Sequence, residues 1–145
     1  MQLNRSTDFG LRVLLYLAIH QGEGFVSTRA IAEAFAISDH HLRKVTRDLV
    51  EKGWLEARRG AQGGVRLARA PEELRLGSVV RALEGFALLE CFDAETNTCH
   101  IASACRLKGA LHGALDAFFV ALDTHTLADM VVSPPLRRML KLADA

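Results

Sequence analysis

The stretch that decides the fold, residues 38–67, reads SDHHLRKVTRDLVEKGWLEARRGAQGGVRL. In its first half, Leu42, Val45 and Leu49 recur at the i, i+3, i+7 spacing of one helix face. The residues between them are mostly polar or positively charged. The sequence therefore predicts a helix over residues 39–52 with a dry inner stripe and a polar outer face.

Two helices are predicted before this stretch. Apolar residues at helical spacing predict one over residues 8–20, and a shorter one follows over residues 28–35. Each predicted helix is preceded by residues whose side-chain oxygen can cap it. The candidate caps are Ser6, Thr7 or Asp8 for the first helix, Ser27 for the second and Ser38 for the third.

A hairpin is predicted after the third helix. Gly53 ends the helix, and residues 54–57 and 65–67 form two short strands around the glycine-containing turn 58–64. The predicted elements follow the order of a winged helix-turn-helix: a helix, a short helix, a tight connection, a polar-faced helix and a hairpin. The predicted fold class is therefore mainly α, with a two-stranded wing.

In such a domain the third helix meets base edges and the wing reaches phosphates or the minor groove. A solvated surface position is the simpler interpretation of any single arginine here, but the combined pattern favours double-stranded DNA. The candidate DNA-binding residues are Ser38, His40, His41, Arg43, Lys44 and Arg47 on the helix, and Arg58, Arg59, Gln62 and Arg66 on the hairpin.

Charge is unevenly distributed along the 145 residues, although the net charge is only +1. Residues 1–70 hold eleven Lys or Arg and seven Asp or Glu (+4), and residues 71–145 hold seven and ten (−3). A basic first half suits a polyanion, although chance scatter is an alternative. The apolar run 13–19 is too short to cross a bilayer and no cleavage site follows it, so we expect a cytoplasmic protein without a membrane partner.

The three cysteines, Cys91, Cys99 and Cys105, lie within fifteen residues of one another. Clustered thiols in an irregular segment favour iron–sulfur or zinc ligation, with three buried small side chains as the structural alternative. A zinc site would need His100 as its fourth ligand, and the adjacency of His100 to Cys99 would strain the tetrahedral geometry. The same adjacency disfavours a catalytic Cys99–His100 pair, because neighbouring side chains do not normally reach each other productively. The candidates for a fourth ligand are His100, Glu90, Asp93 or a residue of a partner chain.

Three parts are expected along the chain. Residues 1–70 form the winged-helix domain, and residues 71–104 form a linking helix (78–84) and the cluster-binding loop. Residues 105–145 form a long helix over 105–122, a short one over about 126–131, and a small C-terminal stretch after Pro134 and Pro135. The long helix has a wide apolar stripe, which favours a homodimer, although packing within one subunit is the alternative.

Three motifs carry a family resemblance that runs from Met1 to about Leu142. The opening MQL…STDFGLRVLLYLA, the wing RRGAQGGVRL and the segment CHIASACRLKGAL resemble the NsrR family of nitric-oxide-sensing repressors. That family belongs to a winged-helix group that also includes IscR and RirA. Lys108 stands where IscR-like members have a histidine, which favours NsrR.

The resemblance implies a winged helix with a long dimerisation helix and an iron–sulfur cluster held by Cys91, Cys99 and Cys105. The resemblance also implies that an aspartate near the N-terminus of the other subunit completes the coordination, and Asp8 occupies that position here. The residues alone equally allow Asp8 to be a carboxylate favoured by the helix dipole. The favoured cluster is [4Fe–4S], with [2Fe–2S] as the alternative.

The expected function is a repressor whose cluster senses nitric oxide. Its nitrosylation would release a two-fold operator and derepress genes for nitric-oxide detoxification. The alternatives are a regulator of the same group that responds to iron supply or cluster status, and a zinc-stabilised interaction module. An enzyme is not expected, because the sequence holds no convincing acid–base or nucleophile constellation.

Overall fold

The computed structural model describes residues 2–60, 62–85 and 88–142. Within them, the structure has seven α-helices and one two-stranded antiparallel sheet, in agreement with the predicted mainly α, winged-helix fold. Single 3₁₀ turns occur at Pro71–Glu73 and Glu90–Phe92. The elements in chain order are α1 (Arg5–Ile19), α2 (Thr28–Ala34), α3 (Asp39–Glu51), β1 (Leu55–Arg58), β2 (Gly64–Leu67), α4 (Leu76–Leu83), α5 (Arg106–Asp123), α6 (Leu127–Met130) and α7 (Pro134–Leu142).

The first three helices begin at side-chain caps. Ser27 and Ser38 accept hydrogen bonds from backbone N–H groups three residues on, as predicted for α2 and α3. The prediction for α1 was wrong, because Asn4 caps this helix by accepting from Thr7 N at 2.8 Å. The helix therefore begins three residues earlier than expected, and Asp8 lies in its first turn.

Helix α1 lies at the centre of the core. Its residues Val13, Leu14 and Tyr16 are almost completely buried, and they belong to one apolar cluster with Leu42 and Leu49 of α3. The inward stripe predicted for α3 is therefore confirmed. This packing leaves the opposite face of α3 exposed, which is the face that carries most of its charged residues.

The wing is held to the domain by its register and by one glycine. Leu55 of β1 pairs with Leu67 of β2, and Arg58 pairs with Gly64. Val26 adds a backbone bridge to Val65, the residue after Gly64. A Cβ at Gly64, whose φ is +156°, would overlap the carbonyl of Val26, so this close backbone approach needs glycine.

The C-terminal part differs from the prediction in one element. The stretch that begins at Pro134 forms helix α7, where the sequence predicts only a small C-terminal stretch with no helix assigned to it. Proline is well suited to the first turn of a helix, because its missing N–H would have no intrahelical partner there. Leu140 of α7 is buried in the core cluster that α1 centres, and this packing stabilises the short helix.

Helix α4 begins at Leu76, two residues earlier than predicted, and packs against α5. Val80 of α4 forms a small apolar cluster with Leu115 and Phe119 of α5. No described helix combines the length and the apolar character that crossing a membrane requires.

Gly77 determines how closely α4 approaches α5, and we expect Gly77→Ala to lower the free energy of unfolding by about 1–2 kcal/mol. An added Cβ would meet the Asp123 carboxylate and lie 2.8 Å from the backbone oxygen of Phe119. Overpacking costs ~1–3 kcal/mol, and the helix propensity of alanine offsets part of that. Urea denaturation at one protein concentration measures the change. Ser78→Ala, at the exposed next position of α4, is the control and is expected to change stability by less than ~0.5 kcal/mol.

Candidate DNA interface and cysteine segment

A cleft of about 550 Å³ lies between α3 and the wing. Its walls come from the start of α2, the outer face of α3 and the two strands, and no described Asp or Glu lines it. Five guanidinium groups around one cleft create a positive potential that suits phosphates, although Arg29 and Arg43 also form ion pairs with Glu33 and Asp39 outside its lining. The five arginines that line the cleft are Arg29, Arg43, Arg47, Arg58 and Arg59.

The remaining candidates on α3 lie near its N-terminus. His40, His41 and Lys44 are exposed, and the two imidazole rings lie 6.0 Å apart. The Oγ of Ser38 accepts from His41 N, so its main role in this structure is to cap the helix. None of these four residues lines the cleft; His40, His41 and Lys44 lie on the helix that forms one of its walls, and Ser38 caps that helix.

On the wing, Arg58 and Arg66 lie on either strand beside Phe25. Their guanidinium carbons are 4.6 and 4.7 Å from the centre of the Phe25 ring, which is within cation–π range. Arg58 also donates to the backbone oxygen of Gln62 at 2.8 Å and lines the cleft. Arg66 forms an ion pair with Glu56 at 2.7 Å and lines a separate cleft near the end of α1. Arg66 therefore lies outside the cleft that the other candidate arginines line, although it shares the Phe25 ring with Arg58.

Sequence reasoning missed the contribution of α2 to the cleft. Ser27, Thr28 and Arg29 line it from the start of this helix. Arg29 forms an ion pair with Glu33 at 2.8 Å, and the hydrogen bond to Glu33 raises the pKa of Arg29. The motif itself contained the signal, because the first helix of a helix-turn-helix crosses the DNA backbone.

Cys91 and Cys99 lie on the loop before α5, and Cys105 lies where this loop ends and α5 begins. Cys91 is buried in the 3₁₀ turn, whereas Cys99 and Cys105 are half-buried, and all three thiols are free. Cys105 caps α5, since its Sγ accepts from Lys108 N at 3.4 Å. Within the described residues, no three His, Cys, Asp or Glu side chains converge closely enough to hold a metal ion.

The donor set nevertheless fits an iron–sulfur cluster in its chemistry. Three free thiols in one segment are the soft ligands that iron–sulfur clusters prefer. The Cys105 sulfur lies at the N-terminus of α5 and accepts a hydrogen bond from Lys108 N. The residues present therefore suit the group that the sequence predicts.

Two of the candidate fourth ligands are engaged in hydrogen bonds within the loop. Glu90 Oε1 accepts from the hydroxyl and the backbone N–H of Thr98, and these bonds lower the pKa of Glu90. Asp93 accepts from Thr96 Oγ1 at 2.8 Å and from Glu95 N at 3.0 Å, which lowers its pKa in the same way.

Asp8 lies far from the loop in sequence and forms a two-pronged ion pair within α1. Its Oδ1 accepts from Arg12 Nε at 3.0 Å and its Oδ2 accepts from Arg12 Nη2 at 2.8 Å. This i, i+4 pair agrees with the interpretation of Asp8 as a helix N-terminal carboxylate. The carboxylate is about half exposed, so it is accessible to a second chain.

Comparisons with known proteins agree with the fold and with the family resemblance. The family model described as Rrf2, iron-dependent transcriptional regulator, matches residues 3–133. The HTH-type transcriptional regulator NsrR of Halalkalibacterium halodurans is 45% identical over 98% of this chain and 99% of that protein. The regulator of the same name from Bacillus subtilis is 40% identical over 99% and 100% of the two chains.

Solved structures give the same result. IscR of T. potens matches with a TM-score of 0.71 and 32% identity, covering 90% of this chain and 86% of that one. Oxidised CymR of Staphylococcus aureus matches with a TM-score of 0.71 and 28% identity, covering 92% and 98%. The sequence relatives are named as transcriptional regulators, not as enzymes, in agreement with the prediction. The chain therefore belongs to the Rrf2 family of transcriptional regulators.

Proposed function

We propose that the chain is a homodimeric repressor that binds a two-fold operator and responds to nitric oxide through an iron–sulfur cluster, with [4Fe–4S] favoured. Cys91, Cys99 and Cys105 would hold the cluster together with Asp8 of the partner subunit. The observation that carries the DNA-binding part is the cleft between α3 and the wing, with its five arginines and no described acidic residue. The names of the NsrR relatives and the three free thiols support the sensing part.

The geometry suits a DNA duplex. The exposed face of α3 would enter the major groove, so that His40, His41 and Lys44 near its N-terminus would meet bases or phosphates. The arginines of the cleft would hold the adjacent phosphate backbone between α3 and the wing. A dimer would present two such surfaces, and for this reason we propose a two-fold operator.

Asp8 would link the cluster to the DNA-binding surface. When bound, the cluster supplies iron that reacts with nitric oxide, and a carboxylate oxygen is a weaker ligand for it than a thiolate. On release, Asp8 has Arg12 as an alternative partner within its own helix. The response would therefore change which groups α1 binds.

The packing of α1 offers a route from Asp8 to the DNA-binding surface. A Cβ added at Gly10 would lie 3.7 Å from Val45 and 3.9 Å from Leu49, both of which are on the inner face of α3. A displacement of α1 would therefore press directly on the helix that meets DNA, since packed interiors do not deform freely. A difference of a few kcal/mol between two arrangements is enough to change operator occupancy tenfold or more.

Asp8→Ala is expected to leave the protein folded and to change the absorbance spectrum of the cluster or its response to nitric oxide. The ion pair that this variant removes is exposed, so it contributes only ~0.5 kcal/mol to stability. Anaerobic absorbance during a nitric-oxide titration provides the measurement. Arg12→Ala is the matched control for the spectrum before nitric oxide is added, because it breaks the same ion pair and keeps the carboxylate. An unchanged spectrum and response in Asp8→Ala would exclude Asp8 from the site.

The dimer would form along the outer face of α5. Leu107, Ala110, Ala114 and Ala117 lie at helical spacing on this face and are exposed, and Leu107 is 61% exposed. Small side chains allow a second helix to approach closely, and burying such a face favours association. The other face of α5 is already occupied by α4.

Val120→Glu is expected to dissociate the dimer, raising its dissociation constant at least tenfold, because it would bury a charge in the contact. Val120 follows Ala117 by three residues on α5, which places it beside the proposed contact face, and it is 66% exposed. Sedimentation equilibrium measures the dissociation constant. The control is Val132→Glu, which changes a valine of similar exposure (70%) between α6 and α7. If Val132→Glu dissociates the dimer and Val120→Glu does not, the contact lies elsewhere.

One experiment tests the proposed function as a whole. Protein purified without oxygen is analysed for absorbance, iron and sulfide, and operator binding is then followed during separate titrations with nitric oxide and an iron chelator. Bound iron and sulfide, with operator release by nitric oxide, are the expected results. Release by the chelator alone would indicate a regulator of iron supply. Bound zinc without DNA binding would indicate an interaction module.

A further inference from the structure

One carboxylate joins the residues that precede the first two cysteines. Glu90 comes directly before Cys91, and Thr98 comes directly before Cys99. Glu90 Oε1 accepts from both the Thr98 hydroxyl, at 2.5 Å, and the Thr98 backbone N–H. These bonds therefore hold the two ends of the segment between Cys91 and Cys99 together. Without these bonds, the chain between the two cysteines would gain conformational entropy by letting its ends, and the two thiols, move apart.

The other acidic residues of the loop do not span it. Asp93 bonds to Glu95 and Thr96, two and three residues further along, and thereby forms a local turn. Glu95 contributes its backbone N–H to that turn, and its side chain is exposed. Glu90 thus differs from its neighbours in connecting the two cysteine positions.

A second contact holds the same end of the loop against α5. The ring of Phe92, which follows Cys91, stacks on His112 with ring centres 5.8 Å apart and planes within 10° of parallel. Cys105 caps the same helix. Both neighbours of Cys91 are therefore anchored, one towards Cys99 and one towards the helix that begins beside Cys105.

We infer that Glu90 is a positioning residue that keeps Cys91 and Cys99 close together before any cluster is bound, through its hydrogen bonds to Thr98. The inference rests on the proposed function, in which both thiols bind one cluster. Arranging two ligands in advance lowers the ordering cost of binding. Loss of hydrogen bonds to a charged acceptor at an exposed site is expected to reduce the effective concentration of one thiol near the other about fivefold.

The test uses full-length, metal-free protein with Cys105→Ser, which leaves two thiols and keeps an oxygen to cap α5. At equilibrium with glutathione, the two protein thiols are oxidised to a disulfide while one oxidised glutathione is reduced to two thiols. The equilibrium constant gives the effective concentration. Glu90→Ala is expected to lower it about fivefold. Glu90→Gln is expected to keep the wild-type effective concentration, because the amide oxygen can accept the same bonds. Glu95→Ala is the control for the loss of a negative charge from the loop.

A second measurement connects the inference to the cluster. In protein with all three cysteines, Glu90→Ala is expected to lose iron to a chelator several-fold faster than Glu95→Ala and Glu90→Gln do. Equal effective concentrations in Glu90→Ala and Glu95→Ala would overturn the inference and leave the proposed function intact. Loss of iron in both Glu90 variants with unchanged thiol equilibria would make Glu90 a ligand, which also overturns it. If no variant and no wild-type protein binds iron, the proposed function fails, and the thiol equilibria still decide the role of Glu90.

Discussion

Arg47→Ala is expected to weaken operator binding about 100-fold without changing the cluster absorbance. Arg47 lies on the exposed face of α3 and lines the cleft. Asp39 neutralises Arg43, whereas no described carboxylate pairs with Arg47, so its charge is available to DNA. A contact to a base or phosphate is worth ~1–3 kcal/mol, and a dimer loses two of them.

Fluorescence anisotropy with a labelled operator measures this effect at several salt concentrations. The slope of log affinity against log salt should become shallower if Arg47 contacts phosphate, because fewer counterions are released on binding. Arg138→Ala removes the same charge from the exposed surface of α7, away from the cleft, and serves as the control. If the two variants bind equally well, the face of α3 that we assign to DNA is wrong.

Cys99→Ala is expected to reduce the iron content of anaerobically purified protein to background. Removing one of three thiolates leaves two cysteines, too few to hold the cluster in the proposed arrangement. Cys99 is half-buried in a loop outside the helices and strands, so the fold should persist. Iron and sulfide analysis, with circular dichroism to confirm folding, makes the measurement.

His100→Ala is the matched variant for this prediction. His100 is exposed and adjacent to Cys99, and it is the residue that a zinc site with three cysteines would need. We expect His100→Ala to retain its iron. Full iron content in Cys99→Ala would remove Cys99 from the site. Metal loss from both variants, with zinc as the bound metal, would favour the zinc interpretation.

The parts of the fold that the sequence predicted well depend on neighbours in the chain. The inner stripe of α3, the serine caps of α2 and α3, and the paired strands all follow from local spacing and turn residues. The missing helix α7 is the error that a distant contact decided, because packing of Leu140 in the core stabilises it. The error at α1 was local, because Asn4 caps this helix through Thr7 N, and Asn4 also donates to Glu84.

The candidate DNA site shows the same division. The sequence identified Arg43, Arg47, Arg58 and Arg59, because a polar helix face and a glycine-turned hairpin are local patterns. It could not place Arg66, since strand register sets Arg66 opposite Glu56 and thereby pairs the two charges. The ligand roles of the cysteines and Asp8, and the dimer, remain predictions that the experiments above test.

By itself, the sequence determined the kind of fold, because helical period, capping residues and turn glycines act within a few residues of one another. Only the tertiary structure decided which charges share a surface. Arg29 joins the cleft because α2 docks beside α3 and the wing, and Glu90 lies beside Thr98 because the loop closes on itself. These contacts depend on how separate segments of the chain pack together, and no local sequence pattern specifies that packing.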